Sequence, residues 1–83
     1  MDTAKVLSAL TLINDRVYLP IVLEYLKGIS LQLGFDQKAR QHIEIAVEEA
    51  VFNVIEHAFS PGEKSSYNIQ CLQTAMGMEI RIA

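Results

Sequence analysis

The spacing of apolar and polar residues predicts a strand and a helix in the first part of the chain. Residues 5–14 are apolar on both faces of an extended chain, which favours a buried strand, with a short helix as the alternative. Apolar residues then follow helical spacing from Leu19 to Leu33. The preceding stretch Asn14-Asp15-Arg16 offers short side chains that can cap a helix, and Pro20 falls where a first turn tolerates proline.

A second and longer helix is predicted over residues 37–59. Asp36 is placed to cap its free amides, and the stretch Ser60-Pro61-Gly62 ends it by turn chemistry. Gly34 is a suitable end for the first helix. Gly28 lies inside that first helix, where glycine costs up to about 1 kcal/mol relative to alanine, and we expect it to let another element approach closely.

Strict alternation in the last part of the chain predicts a hairpin. Tyr67, Ile69 and Cys71 alternate with polar residues as a half-exposed strand, residues 73–77 turn the chain, and residues 78–82 alternate again. The order strand, helix, helix, strand, strand predicts an α+β fold. We expect a two-layer sandwich in which two helices lie on one face of an antiparallel or mixed sheet.

Composition and charge narrow the function classes. The chain has 83 residues, enough for one small domain, and its 51% hydrophobic content indicates either a very complete core or apolar surface for a partner. With a net charge of −3 and no basic stripe, we expect no nucleic-acid partner. We see no signal peptide and no apolar run of membrane-spanning length, and the one cysteine, Cys71, cannot form an internal disulfide. A cytoplasmic protein is therefore expected.

A column of polar side chains runs along the second predicted helix. Glu49, Asn53 and His57 are spaced four residues apart, and each such step turns by only about 40°, so the three side chains share one side of the helix. Beside them we expect an apolar arc that faces the core: Ile43, Ala46, Val47, Ala50, Val51, Val54 and Ala58. A carboxylate, a carboxamide and an imidazole at the border of a buried face indicate a functional site.

The same residues also have structural explanations. Spacing alone favours an exposed helix edge with solvated Glu49 and Asn53, and His57 in the last turn benefits from the helix dipole. A metal site formed by His42, Glu49 and His57 is excluded, because a straight helix separates the two histidines by roughly 22 Å. Three large apolar residues outside the arc are expected to pack against the first helix, with a partner surface as the alternative: Ile45, Phe52 and Phe59.

Residues 49–59 resemble the N-box of the GHKL ATPases, the superfamily that shares the histidine-kinase-like ATPase fold. In the anti-sigma-factor serine/threonine kinases this box runs approximately Glu-Ala-x-x-Asn-x-x-x-His-Ala/Gly-aromatic, and here it reads Glu-Ala-Val-Phe-Asn-Val-Ile-Glu-His-Ala-Phe. The upstream order of a strand, a helix ending in Leu33-Gly34-Phe35, and the box helix also matches. The resemblance implies that residues 1–83 are a single domain, the N-terminal half of a GHKL-type ATP-binding domain.

The resemblance also implies ATP and Mg²⁺ as cofactors and assigns roles along the column. Asn53 would hold the Mg²⁺ that bridges the ATP phosphates, since its carbonyl oxygen is a hard ligand. Glu49 would be the catalytic general base that polarises a hydroxyl or water for phosphoryl transfer. His57 would be a further cofactor-binding residue. The implied partners are a sigma factor and an antagonist protein that is phosphorylated on serine.

Part of the family pattern does not occur in this sequence. The next family motif is an Asp-x-Gly-x-Gly loop that reads adenine, followed by a glycine-rich lid, and neither is found among the 83 residues. We therefore expect an incomplete ATP-binding module that is inactive alone, and whether this chain is an enzyme stays open. The alternative is a non-enzymatic interaction module that forms a homodimer or binds a partner protein through the open edge of its sheet.

Overall fold

Three strands and two α-helices make up the computed structural model, which describes residues 4–83. In chain order the elements are β1 (Lys5–Ile13), a 3₁₀ helix (Arg16–Tyr18), α1 (Leu19–Gln32), α2 (Gln37–His57), β2 (Ser66–Thr74) and β3 (Gly77–Ile82). The α+β class is confirmed, and each predicted helix and strand lies within two residues of its expected bounds.

The strands form one compact unit from the two ends of the chain, up to Asn14 and from Ser65 onwards. β1 pairs with β2 and β2 pairs with β3, both antiparallel, so the sheet of the described residues is antiparallel rather than mixed. Asn14 and Ser65 form two hydrogen bonds at one end of the β1–β2 pair. Its amide donates to the Ser65 carbonyl at 2.9 Å, and the Ser65 amide donates to Asn14 Oδ1 at 3.1 Å.

β1 is exposed or half-buried along its whole length, so the prediction of a buried strand is right about the strand and wrong about its burial. Among residues 4–83 it has a neighbouring strand on one side, which makes it an edge strand of the described sheet. Val6 and Ile13 keep about half of their surface exposed, at 53% and 52%. The central strand β2 instead buries the apolar half of its alternating pattern: Tyr67, Ile69 and Cys71.

The helices form the second compact unit, Asp15–Lys64. The Asp15 side chain accepts a hydrogen bond from the Val17 amide at 3.0 Å, so it caps the 3₁₀ helix and not α1. α1 begins with Pro20 in its first turn and buries Val22, Leu26 and Ser30, which are four residues apart. No helix in residues 4–83 is both long enough and apolar enough to cross a membrane.

A tight turn joins the two helices in the way that the sequence predicts. Gly34 has a φ of +87°, a left-handed conformation that glycine adopts without a Cβ penalty. The amide of Phe35 then donates to the Ser30 carbonyl at 3.1 Å. The Asp36 side chain accepts from the Ala39 amide at 2.8 Å, which confirms it as the cap of α2.

Candidate functional site

The buried stripe of α2 is narrower than predicted. Val47 and Val51 are buried, and Ile43 and Val54 are half-buried. Three alanines that were expected in the core-facing arc are exposed: Ala46, Ala50 and Ala58. Ala46 and Ala50 each precede a buried valine. One residue step turns the helix by about 100°, so the short side chains of these two alanines lie outside the buried stripe. The third lies beyond the end of α2.

The three predicted site residues come together on one exposed side of α2. Glu49, Asn53 and His57 are all exposed, and each rises about 6 Å along the axis above the one before. Within the described part of the chain, none of the three side chains makes a hydrogen bond or an ion pair. Their polar atoms are therefore available to a ligand. Hydrogen bonds or ion pairs within the chain would have occupied them.

The chemistry of these donors fits a magnesium–nucleotide complex. Carboxylate and carboxamide oxygens are the ligands that Mg²⁺ takes from proteins, usually one or two of them, with water and substrate phosphates completing its shell. Among residues 4–83 no cluster of three or more His, Cys, Asp or Glu side chains is placed to hold a metal ion. At nucleotide sites Mg²⁺ takes much of its coordination from phosphate oxygens and water.

An open groove lies beside Glu49 within the helical unit. It has a volume of about 330 Å³ and is lined by Leu19, Ile45, Glu48, Glu49 and Phe52. Ile45 is 66% exposed and Phe52 is 41% exposed, so the first helix leaves most of Ile45 and a large part of Phe52 uncovered. Ile45 and Phe52 are seven residues apart and lie outside the predicted core-facing arc. That spacing is the feature of the sequence that indicates this groove.

Arg16 borders the same region and was not predicted from the sequence. Its Nη1 lies 3.2 Å from Oε1 of Glu56, and its guanidinium carbon lies 5.9 Å from the centre of the Phe52 ring. The contact joins the 3₁₀ helix to α2 across forty positions of sequence. No local pattern signals a pair at that separation.

Comparison with known proteins places these features in a family. The family described as "Histidine kinase-like ATPase domain" matches residues 14–83, a range that holds both helices and the whole polar column. The serine-protein kinase RsbW of Listeria monocytogenes serovar 1/2a (strain ATCC BAA-679 / EGD-e) is 33% identical over 58 residues, which cover 70% of this chain. The same alignment covers 37% of that relative, so the chain spans little more than a third of its length.

Proposed function

Because the chain belongs to the histidine kinase-like ATPase domain family, we propose that it is an ATP-binding regulatory module of the anti-sigma-factor serine/threonine kinase type. Asn53 and His57 are its cofactor-binding residues, and Glu49 is its general base. One observation carries the proposal. These three side chains are exposed on one side of α2, lack partners among the described residues, and lie inside the range that the family matches.

The chemistry that this proposal requires is modest and suits the residues present. Asn53 offers its carbonyl oxygen as the metal ligand, and bound Mg²⁺ supplies charge neutralisation at the phosphates. Glu49, one turn earlier, accepts the proton of an attacking hydroxyl at a carboxylate oxygen. Positioning and electrostatics contribute most of the catalysis in phosphoryl transfer, so no covalent nucleophile is needed.

We propose further that these residues act as the metal and base side of one larger ATP-binding domain. The 83 residues hold no Asp-x-Gly-x-Gly sequence, and the 58 aligned residues cover 37% of the listerial kinase. Adenine recognition and the phosphate lid are then supplied by residues outside this sequence, and kinase activity requires them. A sigma factor and a serine-containing antagonist are the proposed protein partners, and the need for ATP implies a cytoplasmic location.

The first test is a titration of this 83-residue chain with ATP, followed by amide NMR, with and without Mg²⁺. We expect magnesium-dependent shifts at Glu49, Asn53 and His57, because these groups are exposed and unpaired. The side-chain amide of Asn53 reports directly on its carbonyl. A folded chain that shows no shift at millimolar ATP would contradict nucleotide binding by these residues alone.

A matched pair of variants makes the test specific. Asn53→Ala removes the proposed metal ligand, and Gln41→Ala removes another exposed carboxamide on the same helix. We expect Asn53→Ala to abolish the magnesium-dependent shifts and Gln41→Ala to preserve them. If both variants keep the magnesium dependence, Asn53 is not the ligand.

A second candidate function is a non-enzymatic interaction module. The observation that favours it is the large apolar surface outside the polar column, with Ile45 66% exposed and Val17 66% exposed. Gel filtration with light scattering tests this candidate. A monomer at every concentration would count against self-association as its mode of action.

A further inference from the structure

A cavity of about 200 Å³ lies between the second half of α1 and the first two turns of α2, inside the helical unit. This interhelix cavity shares no lining residue with the groove beside Glu49. It is smaller than the roughly 300–1,000 Å³ of pockets that hold drug-sized ligands, so it has room for a small organic ion and not for a nucleotide. Polar groups from both helices line it: Lys27, Ser30, Gln37, Arg40, Gln41 and Glu44.

A small buried side chain on α1 accounts for the free volume. Ser30 is 1% exposed and continues the buried stripe of Val22 and Leu26 along the helix. Its Oγ donates to the Lys27 carbonyl at 3.1 Å, a bond that stays within α1. Because serine is smaller than valine or leucine, it fills less of the space between the two helices, and the interhelix cavity lies beside it.

α2 contributes a positioned cation to the wall of the cavity. Its lining residues at positions 37, 40, 41 and 44 have the spacing of one helix face. Nη1 of Arg40 donates to the Phe35 carbonyl at 2.6 Å, in a part-buried hydrogen bond. An arginine carries five N–H donors, so this bond holds the guanidinium in place and uses only one of them.

The cavity is lined by opposite charges that do not neutralise one another. Glu44 follows Arg40 by four residues, a spacing at which arginine and glutamate can pair on a helix. Within the described part of the chain, Glu44 forms an ion pair with neither Arg40 nor Lys27. The guanidinium is instead bonded to Phe35, which precedes α2. Two cations and one carboxylate are therefore left to a ligand.

The arrangement of these charges defines the chemistry of that ligand. A simple anion would leave the Glu44 carboxylate unmatched, and a simple cation would leave Lys27 and Arg40 unmatched. A molecule with both a carboxylate and an ammonium group matches all three, since charge-assisted hydrogen bonds to both of its ends are strong. A free α-amino acid carries the two groups on one carbon. Gln37 and Gln41 offer donors and acceptors to its side chain.

We propose that the interhelix cavity binds a small zwitterion of the α-amino acid type, with Lys27 and Arg40 on its carboxylate and Glu44 on its ammonium group. Lys27 and Glu44 are exposed, so water screens their charges and the expected dissociation constant is about 1 mM. Glu44 and Glu49 are five residues apart, which places them about 140° apart around α2. The inference is therefore independent of nucleotide binding, and its test uses no nucleotide.

The test is a titration of the 83-residue chain with L-alanine, N-acetyl-L-alanine and L-alaninamide, followed by amide NMR. Alanine should shift the resonances of residues 27–30 and 37–44. N-acetylalanine lacks the ammonium group and alaninamide lacks the carboxylate, so each should bind about tenfold more weakly. N-acetylalanine or inorganic phosphate binding as tightly as alanine would overturn the zwitterion. A chain that shows no shift at about 100 mM alanine, a hundred times the expected dissociation constant, would overturn the site.

Two charge-removing variants assign the ends of the ligand. Lys27→Gln and Glu44→Gln should each weaken alanine binding about tenfold. In Glu44→Gln, alanine and N-acetylalanine should also bind equally, because the ammonium group no longer has a carboxylate partner. A merely structural role of Glu44 would weaken both ligands and keep the difference between them. A preference for alanine that survives Glu44→Gln therefore contradicts the proposed contact. Far-UV circular dichroism of each variant checks that the helices are retained.

Three matched controls lie on the same helices outside the cavity lining. Glu24→Gln and Lys38→Gln each remove an exposed charge and should leave alanine binding unchanged. Gly28→Ala controls for helix stability. The sequence predicts a close neighbour at Gly28, but a Cβ added there meets no atom of the described chain within 4 Å, so this variant should raise the thermal midpoint and keep alanine binding. Loss of alanine binding in any of the three would overturn the assignment to the cavity.

Discussion

Arg16 and Glu56 form an ion pair that joins the 3₁₀ helix to the end of α2, with Nη1 and Oε1 3.2 Å apart. The Arg16 guanidinium also lies over the Phe52 ring, 5.9 Å from its centre. Both charged side chains are substantially exposed, at 68% for Arg16 and 36% for Glu56. Their exposure limits what the contact contributes to stability.

The first prediction concerns this pair. Arg16→Ala should lower the free energy of unfolding by about 1 kcal/mol, since an exposed ion pair contributes at most about that much and an exposed cation–π contact adds a similar or smaller amount. Glu56→Gln leaves the ring contact in place and should cost roughly half as much. Urea denaturation at low and high salt measures both, and the Glu56→Gln effect should fade at high salt. Equal losses in the two variants would mean that the aromatic contact contributes nothing.

A second prediction compares two isoleucines of very different burial. Ile69 is fully buried in β2 and Ile45 is 66% exposed on α2. Ile69→Val should cost about 1 kcal/mol, because deleting a buried methylene loses transfer energy and leaves a small cavity. Ile45→Val should change the unfolding free energy by less than about 0.5 kcal/mol. Urea unfolding curves of the two variants give the comparison, and an equal cost at both sites would show that Ile45 is covered in solution.

Local chemistry explains why most of the fold could be predicted from the sequence. Asp36 caps α2 by accepting a hydrogen bond from an amide three residues away. Gly34 ends the first helix because its own backbone adopts a positive φ. The alternation in β2 survives because that strand is central. The burial of β1 could not be predicted, since it depends on which position the strand takes in the sheet.

The placement of the candidate site residues on α2 could be predicted to a similar degree. The four-residue spacing of Glu49, Asn53 and His57 is a property of one helix, so it held once α2 formed. The groove beside Glu49 and the approach of Arg16 depend on how α1 and its 3₁₀ helix lie against α2. Those are long-range relationships, and neither periodicity nor a short motif contains them.

A third prediction tests the cap of α2. Asp36→Ala removes the acceptor for the Ala39 amide, which its side chain binds at 2.8 Å, and should cost about 1 kcal/mol of unfolding free energy. Asp36→Asn keeps a side-chain oxygen at the same position and should cost much less. Thermal unfolding, followed by the circular dichroism of the helices, measures the stability of both variants. An asparagine variant as unstable as the alanine variant would indicate that the carboxylate charge, and not the hydrogen bond, stabilises this helix end.

The last prediction concerns Tyr67, whose side chain is buried in β2 with 2% of its surface exposed. Its hydroxyl has no hydrogen-bond partner among the described residues, and burial raises its pKa above the ordinary value of 10.0. A buried phenol without a partner is costly, so Tyr67→Phe should raise the free energy of unfolding by about 1 kcal/mol at neutral pH.

The pH dependence of the same variant gives an independent check. The folded state favours the neutral phenol, so above about pH 10 the unfolded state loses its proton first and the natural chain loses stability as pH rises. Tyr67→Phe removes that contribution and should flatten the fall between about pH 9 and pH 11. Tyr18→Phe, at a tyrosine that is 38% exposed, is the matched control and should keep the slope of the natural chain. Urea unfolding across this range measures how steeply the unfolding free energy falls with pH. If it falls as steeply in Tyr67→Phe as in the natural chain, the loss of stability at alkaline pH comes from other groups.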